Sequence, residues 1–142
     1  MIKQKILVPL DRSPISAHTR EKLFAMKSHL NPPLVLLHVL DLDLLATQGF
    51  PEKSHAEFSQ RARAEAEKFM QEQKTLFAAE GIEVETLLVE GPALETICEH
   101  ADSGSYELVA IGRNPVSEMR DFLFGQVSNK LIHKVRCPVL VL

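Results

Sequence analysis

Five short runs dominated by Val, Ile and Leu punctuate the chain, at residues 6–10, 34–40, 84–89, 108–111 and 138–142. Most lack strict in-out alternation, so they read as strands buried on both faces, the habit of a parallel sheet. The third run, Glu85-Thr86-Leu87-Leu88-Val89-Glu90, has polar ends and belongs nearer an edge. Between the runs lie segments with helical spacing. Asp11 or Ser13 can cap a first helix reaching about Leu30, with Leu23, Phe24, Met26, Lys27 and Leu30 mixing apolar and polar faces, and Asn31-Pro32-Pro33 stops it. Residues 56–80 carry Phe58, Ala62, Ala66, Phe69, Met70 and Phe77 near helical spacing, with good helix formers between them and Gly81 placed as a C-terminal cap. Gly91-Pro92 turns into a third helix bearing Leu94, Ile97, Cys98 and Ala101, and Gly125 opens a fourth with Val127, Leu131, Ile132 and Val135. Residues 41–55, between the second strand and the long helix, are the least regular stretch and the best candidate for a mobile lid.

Strand and helix therefore alternate from end to end. Right-handed crossovers turn that alternation into an open, doubly wound α/β sheet of five parallel strands, expected order 3-2-1-4-5, with four helices. Ligands of such sheets sit beyond the carboxyl ends of the strands, where the strand order reverses. The first and fourth strands are neighbours there, which places Asp11 beside Gly112 across the crevice.

Composition narrows the partners more than the fold. A chain of 142 residues fits one domain, 1–142, and at that size about 68–70% of the unfolded surface can be buried, so no staple is needed. Sixteen Lys plus Arg against nineteen Asp plus Glu give a net charge of -3, which supplies no basic field for nucleic acid or an anionic membrane. Cys98 and Cys137 form no C-x-x-C pair and read as small buried hydrophobes. No apolar stretch approaches the ~20 residues that span a bilayer, so a soluble, cytoplasmic protein is the expectation.

The chemistry concentrates near the C-terminus. Leu108-Val109-Ala110-Ile111-Gly112-Arg113-Asn114-Pro115 leads, after nine further residues, to Gly125-Gln126-Val127-Ser128. A glycine at the end of a parallel strand lets backbone approach a ligand, and a helix start presents unpaired N–H groups at the positive end of its dipole, so the order suits a phosphate. The bland reading is that the glycines serve only turns and that Ser128 caps backbone. Other constellations are weaker. Asp41-Leu42-Asp43 superficially matches the D-x-D nucleophile of haloacid dehalogenase-type phosphatases, but the later Lys and acidic groups are absent. A response-regulator reading shares the topology and has Asp11 after the first strand, but lacks an acidic pair there and a Lys after the fifth. The six histidines show no metal-ligand spacing, and His38, inside a strand, suits a hydrogen-bonded core role. No motif places a catalytic triad or a general base.

Val8-Pro9-Leu10-Asp11-Arg12-Ser13 resembles the V-P-x-D-G-S opening of universal stress proteins, Leu36-Leu37-His38-Val39 their second strand, and Gly91-Pro92-Ala93 the turn before their third helix. The C-terminal block is similar to their G-x-x-G, nine residues, G-(S/T) signature followed by Cys137-Pro138-Val139-Leu140-Val141. The resemblance spans nearly the whole chain. It implies a flavodoxin-like domain of the adenine nucleotide alpha hydrolase-like type, homodimeric or tetrameric, acting in the stress response by binding. By position, Pro9, Leu10, Asp11 and Val39 would border the adenosine of ATP or ADP. Ile111, Gly112 and Asn114 would pass beneath ribose and phosphates, and Gly125, Gln126, Val127 and Ser128 would receive the phosphate tail, with Mg²⁺ accompanying it.

Three departures bear on that site. Pro115 replaces the signature's second glycine and removes an N–H donor; one charge-assisted hydrogen bond is worth about 1.5–3 kcal/mol, or roughly ten- to a hundredfold in affinity. Gln126 replaces the small hydroxyl residue with a longer amide, which predicts a weaker contact or a blocked site. Arg12 replaces glycine and either fills the crevice or joins Arg113 and Arg120 in neutralising phosphate. Three readings stay open: a weakened nucleotide site, a closed pocket on a nucleotide-independent interaction protein, and a slow ATPase or phosphotransfer protein. The apolar run 138–142 is further expected to pair a second copy into a homodimer.

Overall fold

The computed structural model describes residues 4–47, 55–113 and 126–142. The element order is β1 (Lys5–Pro9), α1 (Pro14–Ala25), a 3₁₀ turn (Lys27–His29), β2 (Leu34–Leu40), α2 (Leu42–Thr47), α3 (His55–Ala79), β3 (Val84–Glu90), α4 (Ala93–Ala101), β4 (Tyr106–Ile111), α5 (Gln126–Lys134) and β5 (Val139–Val141). The strands form one sheet in the order β3-β2-β1-β4-β5, every pair parallel, with Val8 opposite Leu36, Leu36 opposite Thr86, Leu7 opposite Val109 and Ala110 opposite Leu140. The expected topology is the observed one, with β3 at an edge.

The strand period of two divides the core. Ile6, Val8, Leu10, Leu34 and Leu36 pack with Leu23 of α1 and Met70 and Phe77 of α3, where Phe24 meets Phe77 edge-on at 4.9 Å. Leu7, Val35, Leu37, Val109 and Ile111 pack with Ile97, Cys98 and Ala101 of α4 and Leu131 of α5. Because β1, β2 and β4 are covered on both sides, their sequences show continuous apolar runs without alternation.

Two glycines end elements as their conformations demand. Gly81, at φ 76°, lets Ile82 N–H return to the Phe77 carbonyl at 3.0 Å and so closes α3. Gly91 has φ 153°, and a Cβ there would lie 2.8 Å from Thr96 Oγ1. The first helix is shorter than its sequence suggests, giving way to the 3₁₀ turn before Pro33, whose carbonyl receives the Ile6 N–H at 2.9 Å. Within 41–55, residues 42–47 are helical, which differs from the expected irregular stretch. Asp41 explains it: its Oδ1 accepts the Leu44 N–H at 3.0 Å, an N-cap bond that gives one of the D-x-D carboxylates a structural task. The rest of the proposed lid, 48–54, lies outside the described residues.

At the amino edge of the sheet, the Asp102 carboxylate accepts N–H bonds from Arg136 at 3.0 Å and Cys137 at 2.9 Å, tying the end of α4 to the turn before β5. Cys98 and Cys137 line an open cavity there with Tyr106, Lys134 and Arg136; both thiols are free, and burial raises the pKa of each. Among the described residues no helix is long and apolar enough to cross a membrane.

Candidate nucleotide site at the carboxyl edge

Strand β1 delivers Asp11 to the carboxyl edge, beside the end of β4. The Leu10 N–H bonds the Leu37 carbonyl at 2.8 Å, so the chain is still part of the sheet one residue before Asp11. The Leu10 side chain is buried among the α1 and α3 contacts. Its carbonyl lies 2.8 Å from Nδ1 of the buried His38, and since a carbonyl only accepts, Nδ1 carries the proton. The imidazole also lies against Phe69, ring centroids 5.1 Å apart. His38 is thus a core residue that holds the end of β1.

Asp11 itself is exposed, yet its carboxylate is closely held. Oδ1 accepts the Ser13 N–H at 2.9 Å, the Ser16 hydroxyl at 3.0 Å and the Ser13 hydroxyl. Ser16 Oγ in turn accepts the Asp11 N–H at 2.7 Å. Ser13 occupies the N-cap position of α1, but its side chain makes no capping bond to the helix; its hydroxyl is turned to Asp11 instead. The sequence reading missed Ser16. The signal was the spacing Asp11-x-Ser13-x-x-Ser16, with one serine at the helix cap and another a turn later, both within reach of the preceding carboxylate.

Gly112 follows β4 and is buried against α1. A Cβ there would overlap Thr19 Oγ1 and stand 3.1 Å from the Ile15 carbonyl oxygen. Thr19 is itself buried, its hydroxyl donating to the Ile15 carbonyl at 2.8 Å. Helix packing therefore accounts for a glycine at this position before any ligand is considered. Beyond it, the Arg113 N–H bonds the Leu142 carbonyl at 3.0 Å, and the Leu142 N–H bonds the Ile111 carbonyl at 2.9 Å.

The other expected contacts are distributed unevenly. Pro9 and Val39 are half-buried, Val39 on the α4 and α5 side, and Ile111 is buried in the same cluster. Gln126, Val127 and Ser128 form the first turn of α5. Asn114, Pro115, Arg120 and Gly125 lie outside the described residues. The Arg12 guanidinium reaches α3, 3.8 Å from the Glu65 carboxylate, with 64% of the side chain exposed. An ion pair so open to water is worth at most about 1 kcal/mol. Farther along the same edge, Arg63 of α3 grips Glu90 at the end of β3 with bonds of 2.9 and 3.1 Å. The hydrogen bond from Arg63 lowers the Glu90 pKa, and Glu90 raises that of Arg63.

A carboxylate and a strand-end glycine on neighbouring parallel strands, with α5 next in the order of elements, form a frame in which doubly wound sheets characteristically hold ligands. Comparison with known proteins agrees with the frame. A sequence model of the universal stress protein family matches residues 3–142. Universal stress protein YxiE of Bacillus subtilis is 26% identical over 143 aligned residues, covering 96% of this chain and 97% of YxiE. The solved structure of MJ0577, a universal stress protein of Methanocaldococcus jannaschii, superposes with a TM-score of 0.77 at 25% identity, covering 100% of this chain and 96% of that one. The Archaeoglobus fulgidus universal stress protein in complex with dAMP shares the fold, with a TM-score of 0.68 at 21% identity over 99% of this chain and 98% of the other. With the motifs, the topology and the full-length match in agreement, this chain belongs to the universal stress protein family.

Proposed function

We propose that the chain binds an adenine nucleotide at the carboxyl edge of β1 and β4 and acts by that binding, without turnover. The observation that carries the reading is the Asp11 carboxylate: solvent-accessible, fixed by Ser13 and Ser16, and standing where the strand order reverses. It is supported by relatives of the same fold that have been solved with dAMP, AMP and cAMP. Pro9, Asp11 and Val39 would line the nucleoside end, and Gln126 to Ser128 the phosphate end. Arg12 does not oppose the reading, since its guanidinium is drawn to Glu65 of α3.

Pro115 gives the proposal a sharper form. The donor it removes belongs to the phosphate side, so the nucleoside should dominate recognition and ATP should gain little over AMP. Calorimetric titration of nucleotide-stripped protein with ATP, ADP and AMP, with and without Mg²⁺, tests this. We expect affinities within about tenfold of one another, and Pro115→Gly to tighten ATP roughly tenfold while leaving AMP nearly unchanged. No heat at millimolar nucleotide would overturn the reading and move the chain to the nucleotide-independent branch. The protein would also self-associate through β5, an edge strand on which Val141 is exposed; a monomer by light scattering at tens of micromolar would remove that interface.

A further inference from the structure

We propose that Ser16 is a positioning residue of the nucleotide site, acting through Asp11: it engages Oδ1 so that Oδ2 is held ready as the acceptor for a donor group of the bound nucleoside. The inference rests on the nucleotide reading above and assigns the device that prepares its carboxylate.

Ser16 is buried, with 6% of its surface exposed, so it acts on a ligand only through a neighbour. That neighbour is Asp11, which it clamps twice. The Ser16 oxygen receives the Asp11 backbone N–H at 2.7 Å, and its hydroxyl proton goes to Asp11 Oδ1 at 3.0 Å. One hydroxyl has one donor and two acceptor sites, so both bonds form together. Ser13 adds its N–H and its hydroxyl to the same oxygen. Three donors converge on Oδ1, while Oδ2 has no partner among the described residues.

This arrangement is not needed to start the helix. The capping position is Ser13, and its side chain leaves the N–H groups of α1 without a capping bond. The two hydroxyls are directed at a surface carboxylate instead. An exposed Asp left to itself samples several rotamers, and ordering it would subtract from the affinity of whatever it binds. Fixing one oxygen in advance removes that cost and leaves the second oxygen oriented.

The test is a double-mutant cycle on AMP affinity with Ser16→Ala and Asp11→Ala in the full chain, paired with the Asp11 Hβ scalar couplings of the nucleotide-free protein. We expect Ser16→Ala to weaken AMP roughly tenfold when Asp11 is present and not at all when Asp11 is Ala. The couplings should change from one rotamer to an average. Ser13→Ala, a milder change outside the core, should weaken AMP about threefold if Ser16→Ala does not fold. Equal weakening in both Asp11 backgrounds, or a single Asp11 rotamer surviving Ser16→Ala, would overturn the positioning role. A wild-type protein that binds no AMP would instead overturn the nucleotide reading, and the couplings would still decide whether Ser16 fixes the carboxylate.

Discussion

The ends of β1 and β4 lie side by side and are held in place by opposite means. At the end of β1 the restraints are polar: His38 secures the Leu10 carbonyl, and Ser13 and Ser16 secure the Asp11 carboxylate. At the end of β4 the restraint is steric, since Gly112 is pressed against Thr19 and Ile15 of α1 with no room for a Cβ. The contrast changes how the two positions are read. A glycine in a binding motif is usually credited to ligand approach, but here the neighbouring helix already requires it. A surface carboxylate is ordinarily left to solvent, but here three donors are committed to it. Asp11 is therefore the better pointer to function, and Gly112 is first a packing residue.

The steric restraint at Gly112 should give the largest effect. Gly112→Ala should destabilise the fold by about 1–3 kcal/mol through overpacking, read as a lower urea midpoint with an unchanged slope. The same substitution in a Thr19→Ala background, which removes the nearest obstructing atom, should cost less. Equal losses in both backgrounds would show that the glycine answers to something other than the Thr19 hydroxyl.

The polar end should yield less, and differently. His38→Leu keeps an apolar side chain facing Phe69 but strips the Leu10 carbonyl of its donor, with an expected cost of about 1–2 kcal/mol. A change below about 0.5 kcal/mol in urea unfolding would mean that the imidazole is merely filler there.

The smallest effect belongs to the outer part of the same edge. Glu90 has its folded pKa lowered by the hydrogen bond from Arg63, so the pair stabilises the protein above the ordinary Glu value of about 4.3. That contribution is lost as pH falls through the lower, folded value. Arg63→Ala should consequently lie slightly below wild type near neutrality, and the gap should close in the acid range. Because both groups are open to solvent, the gap should shrink with added salt as well. A gap that widens on acidification would contradict the assigned direction.

Much of this was legible in the chain. The apolar runs located the five strands of the sheet, most securely β1, β2 and β4, because strands covered on both faces leave no alternation to misread. Gly81 announced the end of α3, and the C-terminal motif with the Val8-Pro9-Leu10-Asp11 opening identified the family. Residues 42–47 were not legible as a helix, since Asp41-Leu42-Asp43 reads equally as loop carboxylates or as a cap followed by a first turn. Arg12 was undecided for a related reason: its partner Glu65 lies 53 positions away (65 − 12), and nothing in sequence brings the two together.

Hydrophobic periodicity and crossover handedness, which are local or universal constraints, set the strand order and put Asp11 at its reversal, while the short motifs carried the family. What individual residues do there depends on the folded structure. It assigned Gly112 to α1, Arg12 to α3 and two hydroxyls to one carboxylate oxygen. Such assignments depend on contacts between elements and on hydrogen-bond direction, and neither has a period that can be read along a chain.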